Sequence, residues 1–132
     1  MLTPAPCQPT PMATARGQRV SLPEHAGWIL LPASYQPHDS TGAAWIDPKG
    51  GGLVFLARDA PTMLQDSTEG CRVHLAGQEV HLLARVAFEP GIAYITRAEW
   101  QRAPASWLLI LGWARDSSAQ AEQVAAIYSL EP

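Results

Sequence analysis

Two histidines near the middle of the chain have the residue type and spacing of a metal site. His74 and His81 flank Gly77-Gln78, and apolar residues alternate with polar ones on both sides of this dipeptide. The pattern predicts a β-hairpin in which His74 lies directly opposite His81, with Glu79 on the same face. Imidazole and carboxylate groups on one face are ligands for zinc or copper. The sequence therefore raises the hypothesis of a metal site, whereas the simpler interpretation is a pair of surface histidines in a strand.

The two cysteines of the chain, Cys7 and Cys71, offer a second kind of chemistry. If the protein is exported, we expect a disulfide bond between them. It would close a loop of about 64 residues and stabilise the fold by roughly 4 kcal/mol in the chain-entropy account. If the protein is cytoplasmic, we expect two free thiols, with Cys71 a small residue of the core.

Other reactive residue types do not form a catalytic pattern. His38-Asp39-Ser40 contains the three residue types of a nucleophilic triad, but triad members come from separate elements and not from adjacent positions. In Lys49-Gly50-Gly51-Gly52 the lysine precedes the glycines and a strand follows, which is the reverse of a phosphate-binding loop. The sequence thus indicates neither an enzyme nor a bound cofactor.

Five tryptophans in 132 residues are a further candidate for function. Trp107 and Trp113 lie in a strongly apolar segment, whereas Trp28, Trp45 and Trp100 lie near the ends of predicted strands. We expect most of them to belong to the core. The functional alternative is an aromatic surface formed by Trp28, Trp45 and Trp100 that binds a protein or an apolar ligand.

The strand predicted at Ser106–Ala114 must position many of these residues. One side of this strand presents Trp107, Leu109, Leu111 and Trp113, and the other presents Leu108, Ile110, Gly112 and Ala114. A strand that is apolar on both sides is typical of one that is buried on both sides. We therefore expect the sheet to be covered on both faces around this strand.

The remaining elements predict an α+β fold, an antiparallel β-meander with a C-terminal helix packed on it. Further strands are predicted at 19–23, 27–31, 43–47, 53–57, 71–76, 79–88 and 92–100. A two-residue turn at Gly77-Gln78 would place Leu75 opposite Val80. The helix is predicted at 117–130, capped by Asp116 or Ser117, with an apolar stripe formed by Ala121, Val124, Ala125, Ile127 and Tyr128.

Composition limits the classes of partner. The length suits one domain, and a composition of 47% hydrophobic and 16% charged residues indicates a packed globule. We expect residues 18–132 to form this domain and residues 1–17 to form a proline-rich extended tail. The net charge of −3 comes from 9 basic and 12 acidic residues without a basic run, so we expect no nucleic-acid partner. No apolar run approaches the ~20 residues of a membrane span.

The start of the chain bears on the compartment. It carries neither the apolar segment nor the positively charged first residues of a secretory signal. We expect a cytoplasmic protein if Met1 is the true start, and a periplasmic one if an upstream export signal was removed.

Several short motifs resemble the PsbP-like superfamily. They are Leu22-Pro23 followed by Gly27-Trp28, then Trp45-Ile46-Asp47-Pro48, then Gly77-Gln78-Glu79-Val80 before a long strand, and a closing helix with Ile127 and Ser129-Leu130. The resemblance covers residues 19–130, and the superfamily includes DcrB-like lipoproteins and chaperones of type VI secretion effectors. It implies a sandwich whose sheet is covered on both faces, and an accessory or binding role without shared catalytic residues.

Three functional hypotheses follow. The first is a non-catalytic accessory or binding module that recognises another protein through a sheet face or groove. The second is a cytoplasmic chaperone for a secreted effector, and the third is a metal-binding protein that uses the His74/His81 face. Because only one helix is predicted to cover a two-faced sheet, the proline-rich tail or a second copy must cover the rest. We therefore also expect a homodimer unless residues 23–42 cover the second face.

Overall fold

An antiparallel sheet and a C-terminal helix make up the described part of the chain. The computed structural model describes residues 17–62, 68–87 and 93–131. Its strands are β1 (Gly17–Ser21), β2 (Trp28–Pro32), β3 (Gln36–Pro37), β4 (Ala44–Asp47), β5 (Gly51–Arg58), β6 (Cys71–Leu75), β7 (Gln78–Ala87), β8 (Ala93–Ala103) and β9 (Ser106–Ala114), and its helix is α1 (Ser117–Tyr128). The predicted α+β class is confirmed. The predicted tail lies outside these residues except for Gly17, which begins β1.

Strand order explains why β9 is so apolar. Within the described residues, seven strands form one sheet in the order β3-β4-β5-β9-β8-β7-β6, and all neighbours are antiparallel. The chain leaves β5, crosses to the far edge at β6, and returns through β7 and β8 until β9 pairs with β5. Strand β9 therefore lies at the centre of the sheet, where apolar side chains are buried most.

One face of the sheet, which we call the helix face, carries the core. Helix α1 packs on this face together with the separate β1–β2 hairpin. The buried apolar residues of the sheet on this face include Leu53, Phe55, Val80, Leu82, Ala98, Trp100, Leu108 and Ile110. The C-terminus holds the hairpin in place, because the backbone groups of Trp28 and Glu131 exchange two hydrogen bonds of 2.9 Å. Ile29, Leu31 and Tyr35 thus pack on the face that the helix already covers, and Gln36–Pro37 form the edge strand β3 instead of covering the second face.

Helix α1 begins as predicted but buries different residues. The Asp116 carboxylate accepts a hydrogen bond of 2.7 Å from the Ala119 amide, which confirms Asp116 as the N-cap. In the predicted apolar stripe, Val124, Ala125 and Ile127 are buried, whereas Ala121 and Tyr128 are half-buried. The helix has 12 residues, and no helix in the described ranges is long and apolar enough to cross a membrane.

Two buried glutamines attach the helix to the sheet. The Gln123 side-chain NH2 group lies within hydrogen-bond distance of the carbonyls of Gly52 (3.1 Å) and Trp113 (2.8 Å) and of the Tyr35 hydroxyl (3.1 Å), and its two hydrogens are shared among these three acceptors. Gln120 donates two bonds of 3.0 Å to backbone carbonyls of β7 and β8. Buried carbonyls need such partners, so both glutamines are part of the helix–sheet interface.

The β6–β7 hairpin differs from its predicted register. Its turn is Ala76-Gly77, with positive φ at both residues (53° and 77°), as a type I′ turn requires. His74 therefore opposes Glu79, and His81 opposes Arg72. The prediction of a turn at Gly77-Gln78 is wrong by one position, because glycine suits the second central position of this turn.

The second face of the sheet, which we call the open face, is covered only in part. On β9, Leu109 is buried, Trp107 and Leu111 are half-buried, and Trp113 remains 40% exposed. Among the described residues, 59–62 and 68–70 approach this face, where the Thr62 amide and the Glu69 carbonyl contact Glu99 and His81. Within the described part of the chain, β9 is thus covered on the open face at Leu109 and only in part at its Trp113 end. The expected cover of this end by the tail or a second copy stays a prediction.

Candidate functional site

The open face carries a continuous group of apolar side chains, which we call the apolar strip: Ile46, Val54, Leu56, Leu111 and Trp113. Residues that oppose each other on neighbouring strands share a face of the sheet. Ile46 opposes Gly52, which in turn opposes Trp113, and Val54 opposes Leu111. Ile46, Leu56 and Trp113 are 39%, 40% and 40% exposed, and Val54 and Leu111 are half-buried between them. The strip thus spans β4, β5 and β9.

The Trp113 ring lies directly over Gly52. A Cβ atom on Gly52 would stand 2.6 Å from Cζ2 of Trp113 and 2.9 Å from its Cη2. The missing side chain of Gly52 therefore creates the space that the indole fills. The benzo edge of the Trp113 indole packs on Gly52, while the residue as a whole remains 40% exposed.

Four arginines surround the apolar strip. Arg58, Arg85 and Arg97 occupy strand positions whose registry places them on the open face, and the Arg115 side chain lies over Gly50 at the Trp113 end. The ion pairs of the described residues involve other arginines, so none of these four is neutralised there. Arg97 is half-buried, and its Nε is enclosed without a hydrogen-bond partner among the described residues.

The carboxylates at strand positions of the open face do not neutralise the positive charge of these four arginines. Glu79 is exposed but lies 3.4 Å from Arg72 in an ion pair. Glu99 is fully buried, and its Oε2 accepts a hydrogen bond of 2.9 Å from the Thr62 amide. The charge around the apolar strip is therefore positive, although the whole chain carries −3.

Glu99 and His81 form a buried polar pair at the covered end of the open face. They are directly opposed on β7 and β8, and His81 is only 2% exposed. The Nε2 of His81 lies 2.9 Å from the Glu69 carbonyl oxygen, which accepts hydrogen bonds but cannot donate them, so Nε2 is assigned the hydrogen. Its Nδ1 is buried without a partner in the described ranges. The pair fastens the chain after β5 to the sheet.

The predicted His74/His81 metal pair has a different geometry from the one expected. Both histidines lie on the open face, but they are diagonal neighbours, with His74 exposed and His81 buried. Glu79, the predicted neighbour, opposes His74 and pairs with Arg72. In the ranges that the structure describes, no three His, Cys, Asp or Glu residues are grouped to hold a metal. Direct cross-strand pairing of the two histidines is thus wrong, because the turn begins one residue earlier.

The three tryptophans of the predicted aromatic surface lie apart. Trp100 is 1% exposed and belongs to the core, so it is a correction to the prediction. Trp45 is half-buried on β4, where its Nε1 donates to the Gly42 carbonyl at 3.0 Å. Trp28 is 36% exposed on the hairpin, with the Arg19 guanidinium 4.3 Å from its ring centroid. The exposed tryptophan that the fold places among other apolar side chains is instead Trp113.

The cysteine prediction reaches beyond the described residues. Cys7 belongs to residues 1–16, which the structure does not describe. Cys71 begins β6, is half-buried and takes part in a disulfide bond. Its pairing with Cys7 stays a prediction.

The loop with His38-Asp39-Ser40 is an exposed turn. The Asp39 carboxylate accepts hydrogen bonds from the hydroxyl (2.6 Å) and the amide (2.9 Å) of Thr41, and these two bonds lower the pKa of Asp39. The carboxylate therefore stabilises its own loop.

A small cavity lies on the other side of the molecule from the strip, at the tip of the β6–β7 hairpin. It has a volume of about 210 Å³ and is lined by His25, Ala26, Ala76, Gln78, Arg102 and Leu130. The cationic group in it is already engaged, because Arg102 donates to the Glu24 carbonyl at 2.8 Å and lies 3.7 Å from the Glu24 carboxylate. The apolar strip with its free arginines is therefore the stronger candidate site.

Comparison with known proteins concerns the fold. No family model and no curated protein matches the chain. A crystal structure from Bacteroides thetaiotaomicron VPI-5482 is similar, with a TM-score of 0.58 at 13% sequence identity, and the match covers 87% of this chain and 48% of that one. This chain thus spans about half the length of that protein, and the likeness is one of fold alone.

Proposed function

We propose that this chain is a non-catalytic binding module that recognises another protein through the apolar strip. One observation carries the proposal, namely that Ile46, Leu56 and Trp113 are each about 40% exposed on three neighbouring strands. Single exposed apolar residues are ordinary on protein surfaces. A continuous apolar patch with a polar rim is typical of an interaction site.

The residue types of the strip support the same proposal. Tryptophan and arginine are the residues that most often dominate the energy of protein interfaces. Trp113 is already held against Gly52, so its ring loses little conformational freedom when a partner covers it. Ile46 adds apolar area next to the ring, and Leu56 adds it at the other end of the apolar strip.

A PsbP-like shape is part of this proposal. The sheet with α1 and the hairpin on its helix face is compatible with such a sandwich, in which the partner would complete the open face. The superfamily that the sequence motifs resemble consists mostly of accessory and binding proteins. A chaperone for a secreted effector is a narrower form of the proposal, in which a segment of the effector would occupy the strip.

Affinity capture with matched variants tests the proposal. The full chain is used as bait in extracts of its native organism, as wild type, as Trp113→Ser and as Trp28→Ser. Trp28 is the matched control, because it is similarly exposed (36%) but lies on the hairpin. We expect one stoichiometric protein with wild type and Trp28→Ser, and its loss with Trp113→Ser.

Far-UV circular dichroism and urea midpoints must first show that both variants are folded. Equal recovery with Trp113→Ser would exclude the apolar strip as the binding surface. Failure of the folded wild type to retain any specific protein would contradict a protein-binding function.

A further inference from the structure

We infer that the segment bound by the apolar strip is an acidic amphipathic helix of the partner protein. This inference rests on the proposed function and adds the chemistry and the shape of the occupant. Three arguments carry it: the charge around the strip, its place within the sheet, and its dimensions.

The charge argument comes from the four arginines. Arg58 and Arg85 are exposed, Arg115 lies at the Trp113 end, and Arg97 is half-buried beside Leu111. None of them has an ion-pair partner in the described part of the chain. A partner with carboxylates beside its apolar residues would pair with these guanidinium groups, and such contacts are stronger than neutral hydrogen bonds.

The place of the strip favours a helix over a strand. Strands β4, β5 and β9 all have neighbours on both sides, so their backbone groups are already used in the sheet. An extended peptide adds to a sheet at an edge, where backbone groups are free. A segment that docks on the middle of a sheet face contributes side chains only, as α1 does on the opposite face.

The dimensions fit a short helix. Three neighbouring strands span roughly 10 Å across, and the four residue steps from Gly52 to Leu56 span roughly 13 Å along the strand. A helix is about 10–12 Å wide with its side chains and rises 1.5 Å per residue. About nine residues, or two to three turns, would therefore cover the strip.

A second copy of the chain fits this face less well. Two open faces in contact would bring two sets of unpaired arginines together, which opposes association. An anionic membrane would neutralise the arginines with phosphate groups that have no fixed positions. The planar donor fork of each guanidinium group suits a carboxylate at a defined position instead.

The test selects helical peptides from a random display library on the full-length protein. Enriched peptides are synthesised, and their affinities are measured for wild type and variants by isothermal titration calorimetry. We expect enriched sequences with Asp or Glu and apolar residues at helical spacing. We also expect Trp113→Ser to weaken binding at least about tenfold, with Leu56→Ser as the second strip variant should Trp113→Ser not fold.

Charge variants and controls complete the design. The double substitution Arg58→Gln/Arg85→Gln should weaken binding by about tenfold and reduce its dependence on salt. Trp28→Ser and Arg19→Gln, both on the hairpin, should leave the affinity unchanged. Vesicles of phosphatidylcholine with phosphatidylglycerol serve as the membrane probe in co-sedimentation.

Each other outcome overturns the inference in a recognisable way. Peptides that depend on Trp113 but carry no acidic residues would overturn the helix chemistry and leave the proposed function standing. Peptides that bind Trp113→Ser and Leu56→Ser as well as wild type, or no enrichment at all, would count against both. Vesicle binding that depends on Trp113 would assign the strip to an anionic membrane instead.

Discussion

Gln123 joins three parts of the fold through one side chain. Its NH2 group shares two hydrogens among the carbonyls of Gly52 and Trp113 and the Tyr35 hydroxyl, and the contacts with Gly52 and Tyr35 are buried. Replacement of Gln123 by leucine keeps the volume but leaves the two carbonyls without this donor. We expect Gln123→Leu to lower the free energy of unfolding by at least about 2 kcal/mol in urea denaturation.

The neighbouring Glu122→Gln is the control for this substitution, because Glu122 is half-buried on the same helix and outside this hydrogen-bond network. It should change the stability by less than about 0.5 kcal/mol. A Gln123→Leu variant as stable as wild type would show that the three bonds contribute no net stability.

Tyr35 makes the stability depend on high pH. Burial raises the pKa of Tyr35 from 10.0 to about 12, although the hydrogen bond from Gln123 acts in the opposite direction. The folded state thus holds this proton more tightly than the unfolded state does. The stability from Tyr35 is fully present below pH 10 and is lost as the pH rises through 12, a total of roughly 2–3 kcal/mol.

The measurement is urea denaturation of wild type and Tyr35→Phe at a series of pH values, with phenolate absorbance as a second readout. Between pH 10 and 12, wild type should lose stability relative to Tyr35→Phe. Parallel curves for the two proteins in this range would contradict the raised pKa.

At the scale of elements, the β8–β9 turn contains a correctable strain. Ala105 is exposed and has φ of 57°, a conformation that an alanine side chain disfavours. Ala105→Gly should raise the free energy of unfolding by about 0.5–1 kcal/mol, after the greater flexibility of glycine in the unfolded chain is subtracted. Ala103→Gly, two residues earlier in β8, should lower it by a similar amount. Thermal unfolding of both variants checks the opposite signs.

Strand positions were largely predictable because their signal is local. Ser106–Ala114 has the predicted bounds, and most other strands differ by a few residues at their ends. The two-residue β3 was missed, since Gln36-Pro37 has no strand pattern of its own. The predicted β6–β7 register is wrong by two residues, because the turn lies at Ala76-Gly77. Ala76 has a positive φ, which the sequence does not indicate for an alanine. A register shift of two residues leaves every side chain on the same face of the sheet, so the predicted faces of the hairpin residues are correct.

The candidate site could not be predicted from local patterns. In the sequence, Trp113 belongs to the same apolar segment as the buried residues of β9, and nothing local distinguishes it from them. Which end of β9 is covered depends on the path that the chain takes after β5. Arg58, Arg85 and Arg97 are far apart in sequence, and strand pairing alone places them on one face. The role of Gln123 likewise depends on the fold. In the sequence it is an ordinary polar residue of a helix, and only the packing of the helix on the sheet brings it to two carbonyls.

At the scale of the whole molecule, the two faces of the sheet are covered to different extents. The helix face is closed by elements of the chain itself, with apolar residues from α1, β2 and the sheet in one core. The open face is covered beside Glu99 and His81, and it presents apolar and basic groups on β4, on β5 and at the Trp113 end of β9. A chain with net charge −3 therefore has a basic region where its apolar surface is exposed.

This distribution predicts opposite salt dependence for two kinds of association. Contact between two open faces brings arginines together, so added salt should weaken the repulsion and favour self-association. Binding of an acidic partner brings opposite charges together, so added salt should weaken it. In sedimentation equilibrium at micromolar concentration we expect a monomer at low salt, with any dimer increasing as salt is raised. Trp113→Ser should abolish that increase, whereas Trp28→Ser should not. A stable dimer at low salt that Trp113→Ser dissociates would instead identify a second copy of this chain as the occupant of the apolar strip.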